Sequence, residues 1–400
     1  MKYNLFIFLF FCNTAVSQTS ISGVVINGSN NSKLPAASIF INNSTKGTIG
    51  NNDGTFTVTG ITETNFELVI SYTGFATISL KITPENIAQY QTIKMFPRKQ
   101  ELQEVSVLSA DKDGWEKWGK MFTNNFIGTS DFALECHIEN PEVLRFFYNK
   151  TNGILTAYSH GNLIIHNKAL GYDIRYQLEE FVSDPVQHTI TYVGYTGFED
   201  LNTKNQHTIK KWNLNRQEAY MGSIMHFMRS LYSGTTSEAG FEVREKIIVN
   251  KNDPAFAEIY RNGNIPLFVK IDSMEYNTVA AKVYNKEVPA YIDLICTKPF
   301  PLKNMVLYDS ISHEAEFYFV NHLRIVYKNA KEKNAYLLQN FRPQSQRTFQ
   351  TSEIYLTDDE VIKIESNGLY FDPVNVITSG YWGWNKMAET LPADFRIDQN

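Results

Sequence analysis

The chain has 400 residues, 37 Lys plus Arg against 42 Asp plus Glu, a formal net charge of −5, and a hydrophobic content of 43%. That content supplies a full core, and 14% aromatics beside only 20% charged residues excludes a disordered tail protein, which is poor in aromatics and rich in charge. The mild acidity and the lack of any dense Lys/Arg run also exclude an ordinary nucleic-acid binder, and the length fits two or three domains.

Lys2 precedes an apolar stretch, Leu5 to Cys12, which Asn13-Thr14 and Ala15-Val16-Ser17 follow. This is the layout of a secretory signal peptide over residues 1–17, with cleavage after Ser17 and Gln18 first in the mature chain. The run is too short for a transmembrane helix, which needs about 20 apolar residues, and no later stretch reaches that length. Cys12, in Phe-Phe-Cys-Asn, lacks the small residues that a lipid-attachment site places before its cysteine. Cleavage leaves Cys136 and Cys296, each in a strand-like stretch. A disulfide and two separate buried thiols are both open.

Residues 18–97 hold no His, Cys or Trp and are rich in Ser, Thr, Asn and Gly. Apolar residues alternate: Ile21, Gly23, Val25; Ile39, Ile41; Phe56, Val58; Leu68, Ile70. Period two predicts half-buried strands. Asp53-Gly54 predicts a hairpin turn, because Gly accepts the positive φ, and Pro35 fits a strand start. About seven short strands in a sandwich are expected.

The ordered set Ile21-Ser-Gly23-Val-Val25, Leu34-Pro35-Ala-Ala37-Ser-Ile39, Gly47-Thr48, Asp53-Gly54-Thr-Phe56 and Ser71-Tyr-Thr-Gly74-Phe75 resembles the carboxypeptidase-regulatory-like domain, a prealbumin-like β-sandwich. Such domains often precede the plug of TonB-dependent transporters in Bacteroidetes, and Leu102-Gln-Glu104-Val105-Ser-Val107 resembles the segment that joins the two. The resemblance implies a fold and an envelope setting, in the periplasm, at the outer membrane or on the cell surface. It implies no activity, because fold does not carry function, and residues 18–97 lack the His and Cys of metal hydrolysis.

Residues 98–112 read as a linker, and 113–400 as a larger β-rich α+β domain with two or three amphipathic helices. Asp113 and Glu116 make a capping-box pattern before Trp115, Trp118, Phe122 and Phe126, with Gly128 as the stop. Between 131 and 200, short strands punctuated by Asn140-Pro141, Asn152-Gly153, Gly161-Asn162 and Gly171 predict an antiparallel meander. A second helix is expected with Asn215 as cap, Glu218 as third residue, an apolar stripe of Tyr220, Ile224, Phe227 or Met228 and Leu231, and Gly234 as its end. Strands follow near 241–249, 267–271, 289–297, 314–328 and 346–365. Tyr381 through Pro392 predicts a last turn or helix packed by its tryptophans. This region also resembles the carboxy-terminal part of exported Bacteroidetes proteins that carry the regulatory-like domain. The residues concerned are Ile138-Glu-Asn140-Pro141, Ala169-Leu-Gly171-Tyr172, Ala219 to Ser223 with His226-Phe-Met-Arg229, and Gly380-Tyr-Trp382 through Leu391-Pro392. That family implies no reaction.

Several patterns imitate catalytic motifs. Gly114 to Met121 fits a phosphate loop until Met121, where Ser or Thr must hold Mg²⁺, and it lies in a predicted helix. His313-Glu-Ala-Glu316 falls in a strand pattern, which splits residues three apart across the two faces. Cys136 and His137, adjacent on a strand, are split likewise. The N-x-Ser/Thr triplets at Asn27, Asn30, Asn42, Asn43 and Asn149 carry no meaning in a bacterial envelope. No catalytic, cofactor or metal residues are assigned. The candidates for ligand contact are His226 and Arg229, whose bland alternative is a solvated rim pair, and Tyr381, Trp382 and Trp384. Those aromatics could stack on a sugar, or anchor the chain end as buried Trp usually does.

The expected function is an interaction or scaffolding module of the cell envelope, with an envelope protein or a carbohydrate as partner, no nucleic acid and no cofactor. A hydrolase of polysaccharide or peptide is the alternative from another class and would need two carboxylates brought together. A small outer-membrane barrel over 131–400 with a periplasmic sandwich is the third.

Overall fold

The computed structural model describes residues 19–63, 65–98, 110–250, 252–254, 268–271, 274–279, 291–310, 313–357, 361–371 and 373–397. The signal-peptide reading of residues 1–17 and most of the linker reading of 98–112 lie outside them. The chain divides into two compact units, Met1–Val105 and, apart from Tyr195–Gly197, Ser106–Asn400. No helix among the described residues is long and apolar enough to cross a membrane.

Among its described residues the first unit contains seven strands: β1 (Thr19–Asn27), β2 (Ser38–Ile41), β3 (Gly47–Ile49), β4 (Thr55–Ile61), β5 (Phe66–Ser71), β6 (Ile78–Ile82) and β7 (Gln91–Met95). They form two sheets, β4-β1-β7 and β3-β2-β5-β6. Every apolar residue of the alternating sets, Ile21, Val25, Ile39, Ile41, Phe56, Val58, Leu68 and Ile70, is buried in one core. Gly23 belongs to the same alternation for a steric reason. A Cβ there would stand 2.3 Å from Gln91 O on β7 and 2.7 Å from the Phe56 ring on β4, so only Gly lets β1 sit between its neighbours.

The turn at Asp53-Gly54 forms, but the hairpin does not. Gly54 has φ +77, and the Asp53 carboxylate accepts from Thr55 N (3.0 Å) and Thr55 Oγ1 (2.6 Å). The flanking strands belong to different sheets, since β3 pairs with β2 and β4 with β1. The turn therefore carries the chain from one sheet to the other. Local turn chemistry specifies the reversal, while the partner of each strand is chosen by the core.

The second unit opens with α1 (Gly114–Phe126), followed by β8 (Cys136–Ile138), β9 (Leu144–Tyr148), β10 (Leu155–Ser159), β11 (Leu163–Asn167), β12 (Tyr172–Asp184) and β13 (Thr189–Asp200). The sheet order is β8-β11-β12-β10-β9, with β13 also on β12. This differs from a plain meander. The 13-residue β12 pairs with β11 through Tyr172–Tyr176 and with β10 through Phe181–Ser183, while β10 and β11 do not pair. Phe122 and Phe126 of α1 bury completely, against Phe181 at 4.9 Å and Tyr176 at 5.0 Å between ring centres. The expected capping box is absent. Asp113 makes no side-chain cap bond, and Asp111 instead takes Trp118 Nε1 at 2.9 Å and Lys117 Nζ at 3.1 Å.

Two helices stand where one was expected: α2 (Gln206–Tyr220) and α3 (Ile224–Tyr232). Asn205, not Asn215, caps α2, accepting from His207 N and Thr208 N. Asn215 lies mid-helix and donates to Ala169 O at 2.7 Å. Residues 206–214 carry no apolar stripe, so periodicity does not reveal their helix. Gly234 does end the pair, with φ +68.

The chain continues through β14 (Phe241–Asn250), β15 (Phe268–Ile271), β16 (Met274–Val279), β17 (Tyr291–Cys296), α4 (Leu302–Met305), β18 (Val306–Asp309), β19 (Glu314–Phe317), β20 (His322–Lys331), α5 (Asn334–Gln339), β21 (Phe349–Leu356), β22 (Ile362–Ile364), β23 (Val376–Ser379) and α6 (Gly380–Trp384). A seven-stranded sheet runs β15-β16-β17-β14-β20-β21-β23, and a small one β18-β19-β22. Phe227, Met228 and Leu231 of α3 pack with Phe241, Val243, Leu323, Ile325 and Phe317. The described strands thus lie in separate sheets with helices packed on them, which is a different arrangement from the single closed barrel of the third reading. Cys136 and Cys296 are both free thiols.

Candidate functional site

The break between α2 and α3 gathers three of the five candidate residues. Gly222 has φ +82, and a Cβ there would meet Gln350 Oε1 and the Tyr327 ring at 2.6 Å. The Gly222 carbonyl accepts from Trp382 Nε1 at 2.7 Å, and its N–H donates to His226 Nδ1 at 3.2 Å. Ser223 then caps α3, its hydroxyl accepting from His226 N at 3.1 Å. The His226 ring lies among Tyr220 (4.7 Å), Phe241 (5.0 Å) and Tyr327 (5.7 Å). Burial, with the neighbouring Arg229 charge second, pulls its pKa from 6.5 to about 4, so the ring is neutral at neutral pH.

Arg229 donates through Nε to Asn367 O (2.7 Å) and through Nη2 to Ala393 O (2.9 Å), with its guanidinium 5.1 Å from the Tyr220 ring centre. The pair is therefore no solvated rim. Both side chains are partly buried and hold backbone in place.

Tyr381, Trp382 and Trp384 are 4%, 6% and 7% exposed. Trp382 packs against Phe227 at 5.2 Å. Tyr381 and Trp384 cluster with Tyr336 at 5.1 and 5.5 Å, and Trp384 Nε1 donates to Gln339 Oε1 at 2.8 Å. A stacking platform needs an open ring face, and here the faces are taken by protein.

An open feature lies along α2. A groove of about 520 Å³ is lined by one side of this helix and by the chain end, Phe395 to Ile397. Among the described residues, its lining supplies the cations Lys210, Arg216 and Arg396, the amides Gln206, Asn213 and Gln217, the apolar Ile209, Leu214, Phe395 and Ile397, and no carboxylate. Arg216 is fixed by Leu170 O (2.6 Å), Gly171 O (2.9 Å) and Asp200 (2.8 Å), and stands 3.8 Å over the Tyr172 ring. Arg396 Nη1 donates to Ala393 O and Phe395 O at 2.8 and 2.9 Å. Such a lining suits an extended chain that brings carboxylates to the cations and backbone groups to the amides.

None of the groove residues was singled out from the sequence. The available signal is the three-and-four spacing of Lys210, Asn213, Arg216 and Gln217 on one helix face, which stays invisible because periodicity does not mark residues 206–214 as helix.

The motif-like patterns resolve locally. Gly114 to Met121 is helix α1. His313 occupies a left-handed turn, φ +57, with Tyr308 Oη 3.2 Å from its Nδ1, while Glu316 is on strand β19. The Cys136 thiol is pushed up to about 12 by burial, with Glu389 and Glu135 adding, and so stays protonated and a poor nucleophile. Two carboxylates do meet, Asp293 and Glu353, but across the Lys246 ammonium at 2.9 and 2.7 Å. That cation is 6% exposed and occupies the space a substrate would need. Among the described residues, no three His, Cys, Asp or Glu side chains are grouped so as to hold a metal ion.

A family model described as the CarboxypepD_reg-like domain matches residues 21–107. No curated protein matches the chain.

Proposed function

Proceeding from a CarboxypepD_reg-like β-sandwich at residues 21–107, we propose that the protein is exported and serves as an interaction module of the bacterial envelope. Its α2 groove takes an extended, carboxylate-bearing segment of an envelope partner. The groove lining carries this reading, with the cations Lys210 and Arg396 beside an Arg216 already paired with Asp200, three amides, four apolar side chains and, among the described residues, no carboxylate. Export is supported by Lys2, the Leu5–Cys12 run and Ala15-Val16-Ser17. The envelope setting is supported by the resemblance of the sandwich to domains that precede the plug of TonB-dependent transporters.

The test is capture of partners from an envelope extract. The wild-type chain captures a reproducible partner that high salt releases. Lys210→Glu combined with Arg396→Glu weakens capture roughly tenfold or more, since each reversal replaces attraction by repulsion. Arg216 is left intact because it supports Leu170 and Gly171. Equal capture by the double variant, or no partner at all, refutes the reading. N-terminal sequencing of the native protein tests export and returns Gln18 as the first residue.

A further inference from the structure

We propose that the segment between β20 and β21 is an anchor for an anionic lipid surface, in which Phe341 and Leu338 enter the headgroup region while Lys331 and Arg347 meet the lipid charge. Phe341 is 97% exposed and Leu338 75%. The two stand on one turn, because Phe341 N donates to Leu338 O at 3.1 Å. Phe341 has φ +51, a left-handed conformation that a bulky residue adopts only under constraint. Gly or Asn meets the same need with less strain. The position therefore holds a side chain unfavourable for the backbone and for water alike. Both penalties are offset where the ring leaves water.

The turn is braced from beneath. Glu332 is 2% exposed and accepts from Arg342 Nη1 (2.8 Å), Arg342 Nη2 (3.0 Å), Thr348 N (3.0 Å) and Thr348 Oγ1 (3.1 Å). Arg342 N donates to Leu337 O at 2.9 Å, and Arg342 Nη2 reaches Gln346 O at 2.6 Å. Tyr336 and Leu337, the neighbours of Leu338, are buried. The apolar tip is thus presented by an ordered support, which lowers the ordering cost of contact.

Charge selects the surface. Residues 331–349 carry Lys331, Lys333, Arg342 and Arg347 against Glu332 alone. Arg342 neutralises Glu332, and Lys333 pairs with Glu218 at 2.6 Å. Lys331, which pairs with Phe349 at the start of the segment, and Arg347, whose Nε donates to Glu332 O at 2.5 Å, are both exposed and leave positive charge on the same β20–β21 segment. Apolar side chains on a protruding turn, flanked by cations, match the interface of an anionic membrane. A protein partner would have to offer a pocket for the ring, and a lipid surface needs none. Two side chains give a weak and reversible grip.

Sedimentation with vesicles tests this, using the chain that begins at Gln18. Equal parts phosphatidylglycerol and phosphatidylcholine bind it, and phosphatidylcholine alone, or about 0.5 M salt, weakens binding roughly tenfold. Lys331→Glu removes most of the preference for the anionic vesicles. Phe341→Gly raises Tm, because the strain is relieved, yet weakens vesicle binding roughly tenfold. A purely structural Phe341 would not separate these two readouts. The proposal is overturned if Phe341→Gly binds as the wild type does, if the protein ignores anionic vesicles, or if Phe341 serves capture of a protein without vesicle binding.

Discussion

The two units close their cores by different means. The sandwich is aliphatic and local. Its core is mainly Ile, Val and Leu in alternation, and its turn contacts, such as Asp53 to Thr55, span two residues. The larger unit is aromatic, and side-chain bonds to groups far along the chain, most of them backbone carbonyls, tie it together. Trp382 reaches Gly222 across 160 residues and Arg229 reaches Ala393 across 164. Asn167 Nδ2 donates to Ala388 O at 3.0 Å across 221, and Ser130 bonds Glu389 across 259. A core built on alternation is specified by residues two apart, whereas one built on distant polar anchors is specified only once the whole chain has folded.

Trp382→Ala is the harshest way to break this contrast. It removes a ring buried to 6% exposure and orphans the Gly222 carbonyl, so a loss of about 3–5 kcal/mol is expected. All five tryptophans, Trp115, Trp118, Trp212, Trp382 and Trp384, lie in the larger unit, so tryptophan fluorescence reports that unit alone. In urea the fluorescence transition moves to much lower denaturant, while circular dichroism keeps a later β-sheet transition from the sandwich. An unchanged fluorescence midpoint would show that the distant anchor is dispensable.

A smaller effect separates the units by pH. The described sandwich contains no histidine, whereas the larger unit buries His226 with its pKa drawn down from 6.5 to about 4. Above pH 6.5 the ring is neutral in folded and unfolded chains. As pH falls from 6.5 towards 4 the unfolded chain takes up a proton that the folded ring refuses, so stability is lost over that window, by about 2 kcal/mol. Glu389 opposes this. Burial raises its pKa from 4.5 to about 6, a contribution present below pH 4.5 and lost as pH rises through 6. The comparison is therefore with His226→Asn, whose side-chain oxygen can still accept from Gly222 N. Between pH 7 and pH 4.5 the wild type loses about 2 kcal/mol more by fluorescence-detected urea unfolding. Equal losses would mean that the ring titrates normally.

The same contrast governs what the sequence discloses. The strand residues of the sandwich, Ile21 to Ile70, are legible because period two is a local property. The Asp53-Gly54 turn is legible too, but not its crossing between sheets, since that depends on which strand each neighbour finds. In the larger unit the α3 stripe and its stop at Gly234 are legible, yet the first nine residues of α2 are not. That stretch is polar on most sides and is held by bonds such as Trp212 Nε1 to Lys168 O at 2.9 Å. The groove along α2 is hidden for the same reason. His226 and Arg229 are legible as unusual residues on a helix, and their partners Asn367 and Ala393 are not.

The smallest effect concerns the caps, where sequence pattern and structure part most plainly. Asp113 with Glu116 has the better capping signature, yet its side chain makes no cap bond. Ser223 has no Glu or Gln at its third position, since His226 stands there, but its hydroxyl accepts from His226 N at 3.1 Å. Ser223→Ala is therefore expected to cost about 1 kcal/mol and Asp113→Ala only a few tenths, both read by urea unfolding with tryptophan fluorescence. A pattern describes what a residue could bond, and Asp113 is left without the bond because Asp111, two residues earlier, already holds Trp118 and Lys117. If Asp113→Ala proves the costlier change, the capping box forms in solution after all, and the start of α1 is set by its own four residues instead of by the Asp111 contacts.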